Sequence, residues 1–235
     1  MNKNSDKLLG FEGSVKKNGL KRSEEGYDKW HSDIGFEEES EYYQMLGTLL
    51  KGTKSVDIGC GSGFIEIFSP ETIAVDFSEE ALKIAKKNGA KHLVKATAEK
   101  LPFKNNEFEI SLSNGVLEHC YDQEKAISEM VRISRIQILI VHAKLPYGLE
   151  NIRKLIGLIF GLKDQPIENP LTMGEVEGML KKNGSRVLVR GVWNYIDLRW
   201  LWRKLPYGIV KIPSHHFIIS MKTANLERRF LGESE

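Results

Sequence analysis

The stretch Asp57-Ile58-Gly59-Cys60-Gly61-Ser62-Gly63 carries the strongest chemical signal in the chain. Three glycines alternate with small residues where a short apolar run gives way to a helical pattern. A strand, a glycine loop and a helix in that order let a ligand press against backbone amides at a helix N-terminus, because no side chain blocks the approach. Tight turns also use glycine, and nucleotide folds of several kinds share such loops. Phe64 follows Gly63, so the G-x-G-x-x-G spacing of dinucleotide sites is not met. Asp76 closes the next apolar run, a position from which a carboxylate can accept hydrogen bonds from both hydroxyls of a ribose. Taken alone, Asp76 reads equally well as the start of the turn before Ser78. The glycine loop upstream favours the ribose role.

His119 lies just past a later apolar run and belongs to the residue type that titrates near neutrality, which makes it the candidate general base. The competing reading is a histidine that packs or hydrogen-bonds at the start of the next segment, and Glu118 is open to the same two readings. His142, His215 and His216 are scattered without the spacing of a metal site and read as structural residues. The cysteines Cys60 and Cys120 also lack paired metal-ligand spacing, and two in a chain of this size do not form a disulfide framework. No metal is expected.

The elements that must position these residues follow from periodicity. Tyr42, Met45, Leu46, Leu49 and Leu50 line one face of a helix ending near Gly52. From Lys54 onward, short apolar runs alternate with helical stretches. Strands are predicted at Ser55 to Ile58, Thr72 to Val75, His92 to Lys95, Glu107 to Ser113 and Ile136 to His142. Helices are predicted just after Gly63, after an N-cap at Ser78 with Asn88-Gly89 as the stop, and from about Gln123 to Ile133. A helix at Met173 to Asn183 and strands at Arg186 to Trp193 and His216 to Lys222 complete the pattern. Alternation of this kind predicts an α/β fold whose parallel sheet is joined by right-handed crossovers.

Composition bounds the function classes. The chain has 235 residues, 41% hydrophobic and 28% charged, which suits one soluble globular domain. A formal charge of +2 supplies no general drive toward nucleic acid. The polar first residues offer no secretory signal, and the longest apolar stretches fall short of the roughly 20 residues needed to span a bilayer. A reducing cytoplasm is the expected setting.

Four successive stretches carry a family resemblance: Val56 to Gly63, Val75-Asp76-Phe77-Ser78, Ala98 to Phe103 and Asn114-Gly115-Val116-Leu117-Glu118-His119. In this order they resemble the motifs of the class I S-adenosylmethionine-dependent methyltransferases, of the small-molecule type that includes the ubiquinone and menaquinone methyltransferases. The resemblance is close over about residues 40 to 142. It implies a Rossmann-like, seven-stranded, mostly parallel sheet with helices on both faces and an antiparallel last strand. It also implies S-adenosylmethionine as cofactor. The backbone around Gly59, Cys60 and Gly61 in the glycine loop that ends at Gly63 would hold the methionine part, Asp76 the ribose, and Phe77 the adenine face. Ala98 and Glu99 would contact the adenine edge, the carbonyl of Asn114 would face the methionine amino group, and Asp57 would orient the loop or reach that amino group through water. Cys60 is then a small residue used through its backbone, not a nucleophile. The family's Pro-Gly-Gly turn is replaced by Ile133-Ser134-Arg135-Ile136-Gln137, which predicts a tighter connection there.

Methyl transfer from a sulfonium is an in-line displacement, in which the protein positions the nucleophile and excludes water. The acceptor is expected to be a small molecule or lipid. Two apolar and basic segments, one at Asn151 to Lys163 and one at Tyr195 to Lys211 with Trp200 and Trp202, are expected to roof its site. They read as a lid for a hydrophobic or anionic acceptor with peripheral membrane contact, or as ordinary core packed on each other or on a partner. The expected organisation is a mobile N-terminal arm over 1–35, whose Tyr27 and Trp30 would join the lid, then one domain over 36–225. That domain carries insertions at about 144–170 and 194–214, and a tail follows over 226–235. Two other classes compete with the enzyme: a non-catalytic S-adenosylmethionine-binding module and a nicotinamide-dependent oxidoreductase. The latter is disfavoured by Phe64 and by the Ala98-Glu99 motif.

Overall fold

The computed structural model describes residues 40–144, 169–197 and 211–224. Helix α1 (Ser40–Leu50) leads into β1 (Ser55–Ile58), the short α2 (Phe64–Phe68), β2 (Ile73–Asp76), α3 (Glu79–Lys87) and β3 (His92–Lys95). Strand β4 (Phe108–Asn114), a 3-10 turn (Leu117–His119), α4 (Gln123–Ile133), β5 (Ser134–His142), α5 (Met173–Lys182), β6 (Ser185–Asp197) and β7 (Lys211–Lys222) follow. The seven strands form one sheet in the order β3-β2-β1-β4-β5-β7-β6. All neighbours from β3 to β5 pair parallel, and β7 runs antiparallel to both β5 and β6. The expected antiparallel last strand is therefore present.

Local sequence explains the starts and stops. Ser78 caps α3 by accepting from Ala81 N at 3.1 Å, and Asp122 caps α4 by accepting from Lys125 N at 2.9 Å. Each satisfies an amide that has no partner inside its helix. A reciprocal capping box between Thr172 and Glu175 starts α5. The replacement of Pro-Gly-Gly has the expected consequence: α4 ends at Ile133 and β5 begins at Ser134 with no loop between.

Side chains alternate across the sheet and divide the core. Ile138 and Ile140 of β5 pack with Leu112 under Leu46 and Leu50 of α1 and Ile65 of α2. Leu139 and Val141, on the opposite face, pack with Ile127 and Met130 of α4 and with Val176 and Leu180 of α5. Ala74, level with Asp57 and Leu112 across the strands, lies on the first face and packs against Leu82 and Ala85 of α3. Helices thus cover both faces. Leu46 and Leu50 are fully buried, and each contributes roughly 1.5–3 kcal/mol on burial.

Boundaries differ from expectation at several strands: β4 is shifted by one residue to Phe108–Asn114, and β5 begins two residues early at Ser134. Strand β2 is shifted by one residue, because Thr72 spends its hydroxyl on Ser69 and Ser55, each at 2.9 Å, and Asp76 joins the ladder opposite Lys95. The final two strands are longer than predicted. Pairing continues through Tyr195↔Pro213, Ile196↔Ile212 and Asp197↔Lys211, so 194–197 and 211–214 are strand residues, not part of an insertion. Periodicity failed there because register shifts interrupt the alternation between Val187 and Tyr195. The arm over 1–35 with Tyr27 and Trp30, the segment Asn151 to Lys163, Trp200, Trp202 and the tail lie outside the described residues. Among the described residues, no helix is long and apolar enough to cross a membrane.

Candidate functional site

Strand order reverses between β1, whose chain continues outward to β2, and β4, whose chain continues the other way to β5. Loops leaving the carboxyl ends of β1 and β4 diverge there and open a crevice, the usual ligand position in such sheets. The glycine loop borders it through Gly59. Gly59, Gly61 and Gly63 all have positive φ, at 75°, 53° and 74°. The amides of Gly59 and Cys60 both donate to Val75 O, at 2.7 and 3.0 Å, which ties the loop to β2. A Cβ on Gly59 would lie 2.2 Å from Val116 Cγ2, so glycine is required both for its dihedral and for the approach of the chain after β4. At Gly63 the added carbon would meet Ala85 Cβ at 2.7 Å. This glycine is needed for packing against α3.

Asp76 sits at the end of β2, buried, with Oδ2 accepting from Gly61 N at 2.9 Å and Oδ1 from Ser78 N at 2.8 Å. The carboxylate therefore holds the glycine loop and starts the next helix, which is the turn role read from the sequence together with a tie to the loop. Asp57 is buried beneath the loop with Glu66 of α2. Burial first, then the charges of Glu66 and Asp76, push the Asp57 carboxyl well above its ordinary range. Burial lifts Glu66 to about 7 against its hydrogen bonds. The pair consequently retains at least one proton at neutral pH. Sequence reasoning missed Glu66, because an acidic residue in a first helical turn reads as an exposed dipole partner.

The crevice spans about 450 Å³, part of it open to solvent. Gly59, Asp76, Phe77, Ala98, Glu99 and His119 line it, together with Ala96, Thr97, Val116, Cys120 and Tyr121, which motif reading did not select. Glu99 Oε1 accepts from Tyr121 N at 3.1 Å, joining two walls of the crevice. Asp57, Cys60, Gly61, Gly63 and Asn114 are not among the lining residues. Cys60 is buried with Ala74 and Leu82, and burial first, then the charge of Asp76, pushes its thiol far up, which leaves it neutral and unreactive. Asn114 Oδ1 accepts from Tyr42 OH at 2.5 Å and fastens α1 to the end of β4.

A second group converges at the carboxyl edge of β4 and β5. Glu118 is fully buried, and its Oε1 accepts from His142 N at 3.2 Å and hydrogen-bonds to His142 Nδ1. His142 is the register partner of His215, and their rings lie 4.3 Å apart. Burial would raise the Glu118 carboxyl, but its hydrogen bond to His142 and the charges of His142 and His119 hold it below the ordinary range. Burial first, then the charge of His142, lowers His215 to about 4, so that ring is neutral. The histidines that look scattered in sequence are brought together by the β5–β7 pairing. His216 points its Nδ1 into a buried setting, and burial lowers its pKa.

Residues 56–137 match the family described as Methyltransferase domain. An uncharacterized protein of Methanocaldococcus jannaschii is 34% identical over 69% of this chain and 78% of its own length. A demethylmenaquinone methyltransferase of Staphylococcus aureus is 30% identical over 46% of this chain, which spans half of that enzyme. Among solved structures, magnesium protoporphyrin IX methyltransferase from Synechocystis with bound SAH superposes with a TM-score of 0.55 at 15% identity. That match covers 93% of this chain and 100% of the other.

Proposed function

The chain belongs to the class I S-adenosylmethionine-dependent methyltransferases, and on that premise we propose that it methylates a small-molecule or lipid-like acceptor by in-line displacement. S-adenosylmethionine is the cofactor. The observation that supports this reading most directly is the crevice at the reversal of strand order. There the positive-φ glycine loop, the Asp76 carboxylate and the wall of Phe77, Ala98 and Glu99 meet. The glycine loop and carboxylate fit the group: one presents bare backbone with no side chain in the way, the other two oxygens that can each accept a further hydrogen bond.

Each residue then has a task. Asp76 accepts from the ribose hydroxyls, Phe77 lies against the adenine, and the Ala98 amide and Glu99 carboxylate meet its edge. The backbone of Gly59, Cys60 and Gly61 and the carbonyl of Asn114 hold the methionine part. Beside Glu66, Asp57 orients the loop from beneath. Gly63 lets α3 close on the loop. When bound, the cofactor supplies a methyl group on a positively charged sulfur. His119 on the crevice wall is the candidate base for an acceptor that must lose a proton. A relative that is a demethylmenaquinone methyltransferase supports a small, apolar acceptor.

Calorimetric titration with S-adenosylmethionine, beside NAD and an Asp76→Ala variant, tests the reading. Saturable binding of the sulfonium cofactor alone is expected. Loss of a carboxylate's hydrogen bonds, about 1.5–3 kcal/mol, should weaken it roughly 10- to 100-fold in the variant. Absence of binding by folded protein free of co-purified cofactor overturns the proposal. Binding without transfer of tritiated methyl groups to lipid and quinone fractions would favour a non-catalytic binding module.

A further inference from the structure

Glu118 presents an unusual electrostatic problem. Its side chain is fully buried, and Oε2 has no hydrogen-bond partner among the described residues. A buried carboxylate is normally paired with lysine or arginine, or it takes up a proton, because leaving it charged and uncompensated is costly. Here the one ion pair found for it among the described residues is with a histidine, His142. A carboxylate oxygen of Glu118 and one ring nitrogen each from His119 and His142 lie within 4.8 Å of one another.

We propose that Glu118, His119 and His142 bind a divalent transition-metal ion at the carboxyl edge of β4 and β5, with His119 then serving as a ligand in place of the base role. Two imidazoles and one carboxylate suit Zn2+ or a neighbouring first-row ion, whereas Mg2+ and Ca2+ prefer all-oxygen sets. Ligand atoms about 2.0–2.2 Å from a common ion lie roughly 3–3.6 Å apart, so Glu118 Oε1 and His142 Nδ1 part from their direct hydrogen bond and small side-chain rotations complete the site. The scaffold favours such closure. Glu118 and His119 share the 3-10 turn, and His142 ends the strand paired to β4. The ion replaces the proton between Glu118 Oε1 and His142 Nδ1 and supplies the charge that Oε2 lacks. The His215 ring lies against His142, 4.3 Å between centroids, and backs it from β7. With three protein ligands, coordination positions remain open. Resting on the methyltransferase reading, these positions take an oxygen of the acceptor, beside the crevice that His119 also lines.

The test uses the full chain, stripped with chelator and then dialysed against Zn2+ or Co2+, with bound metal counted and the cobalt absorption spectrum recorded. One ion per chain is expected. Losing an outer partner of a metal ligand already weakens binding by roughly 10- to 100-fold, so His142→Ala and Glu118→Gln should lose at least that much. Added metal should raise the melting midpoint of the wild type but of neither variant. No stoichiometric ion, or equal binding by wild type and both variants, overturns the site. Titration of the same samples with S-adenosylmethionine separates the two readings. Wild type that binds cofactor but no ion overturns the metal site alone, and wild type that binds an ion but no cofactor supports the site while overturning the methyltransferase reading.

Discussion

On the β1–β4 side of the sheet, the functional residues come from short contiguous stretches. On the β5–β7 side they come from positions far apart in the chain. Asp57 through Gly63 forms one loop, and Asp76 closes the next strand and grips that loop through Gly61. Glu118, His142 and His215 meet because β5 lies between β4 and an antiparallel β7. The first arrangement suits a ligand of fixed shape, since parallel crossovers deliver the carboxyl ends of strands to one crevice. The second depends on strand pairing, so a single substitution along β5 or β7 can change it while the glycine loop stays as it is. The two sides should therefore fail differently when damaged.

The largest effect is expected at Gly59→Ala. The new methyl would overlap Val116 Cγ2 at 2.2 Å in a backbone conformation that L side chains rarely adopt. Val116 is β-branched and cannot rotate out of the way cheaply. Affinity for S-adenosylmethionine should fall more than roughly 100-fold, with a stability loss of about 2 kcal/mol or more. Calorimetry and urea unfolding measure both. Unchanged affinity would break the assignment of the cofactor to this loop.

Next is Glu66→Gln, read against pH. The folded-state pKa of Glu66, about 7, lies above its ordinary 4.5, so the native fold prefers the protonated form. Its contribution is fully present below about pH 4.5 and is lost as pH rises through 7. The wild type should lose melting temperature progressively between about pH 4.5 and pH 7 and level off above that, while the glutamine variant, always neutral, should not. A shift of this size corresponds to on the order of 3 kcal/mol at high pH, and the variant should be the more stable protein there. Parallel melting curves for both proteins across that range would show that the buried acid pair does not hold its proton.

These two residues also mark what the sequence makes legible. Gly59 can be identified as a ligand-loop residue because glycines at that spacing between a strand and a helix have few other uses. Glu66 cannot, since its neutral state depends on burial beneath a loop, a tertiary fact. The same holds across the fold. The strands at Ser55 to Ile58 and His92 to Lys95 and the helix from Gln123 to Ile133 are legible to the residue, because caps and apolar periodicity coincide there. The extensions of β6 and β7 are hidden by register shifts. The cluster of Glu118 with His142 and His215 is hidden for another reason: strand register, unlike strand existence, is set by partners distant in the chain.

The smallest effect separates the two sides most cleanly. Gln137 of β5 is fully buried, and its Oε1 accepts from Ser185 Oγ at 2.7 Å and from Ser220 Oγ at 3.0 Å. Its Nε2 donates to Ser134 O at 3.1 Å. This knot ties β5 to the starts and ends of the two antiparallel strands, on the row of the sheet away from the glycine loop. Gln137→Leu keeps the volume nearly constant but leaves two buried hydroxyls without their acceptor. A loss of about 2 kcal/mol in urea unfolding is expected, since each unsatisfied buried group costs about 1–3 kcal/mol and some relaxation offsets part of it. Affinity for S-adenosylmethionine should stay within about twofold of the wild type, because substitutions at distant, unshared sites act independently. If cofactor affinity fell along with stability, the β5–β7 side would be mechanically coupled to the crevice. The division between a cofactor half and an acceptor half would then have to be redrawn around the β4–β5 pair.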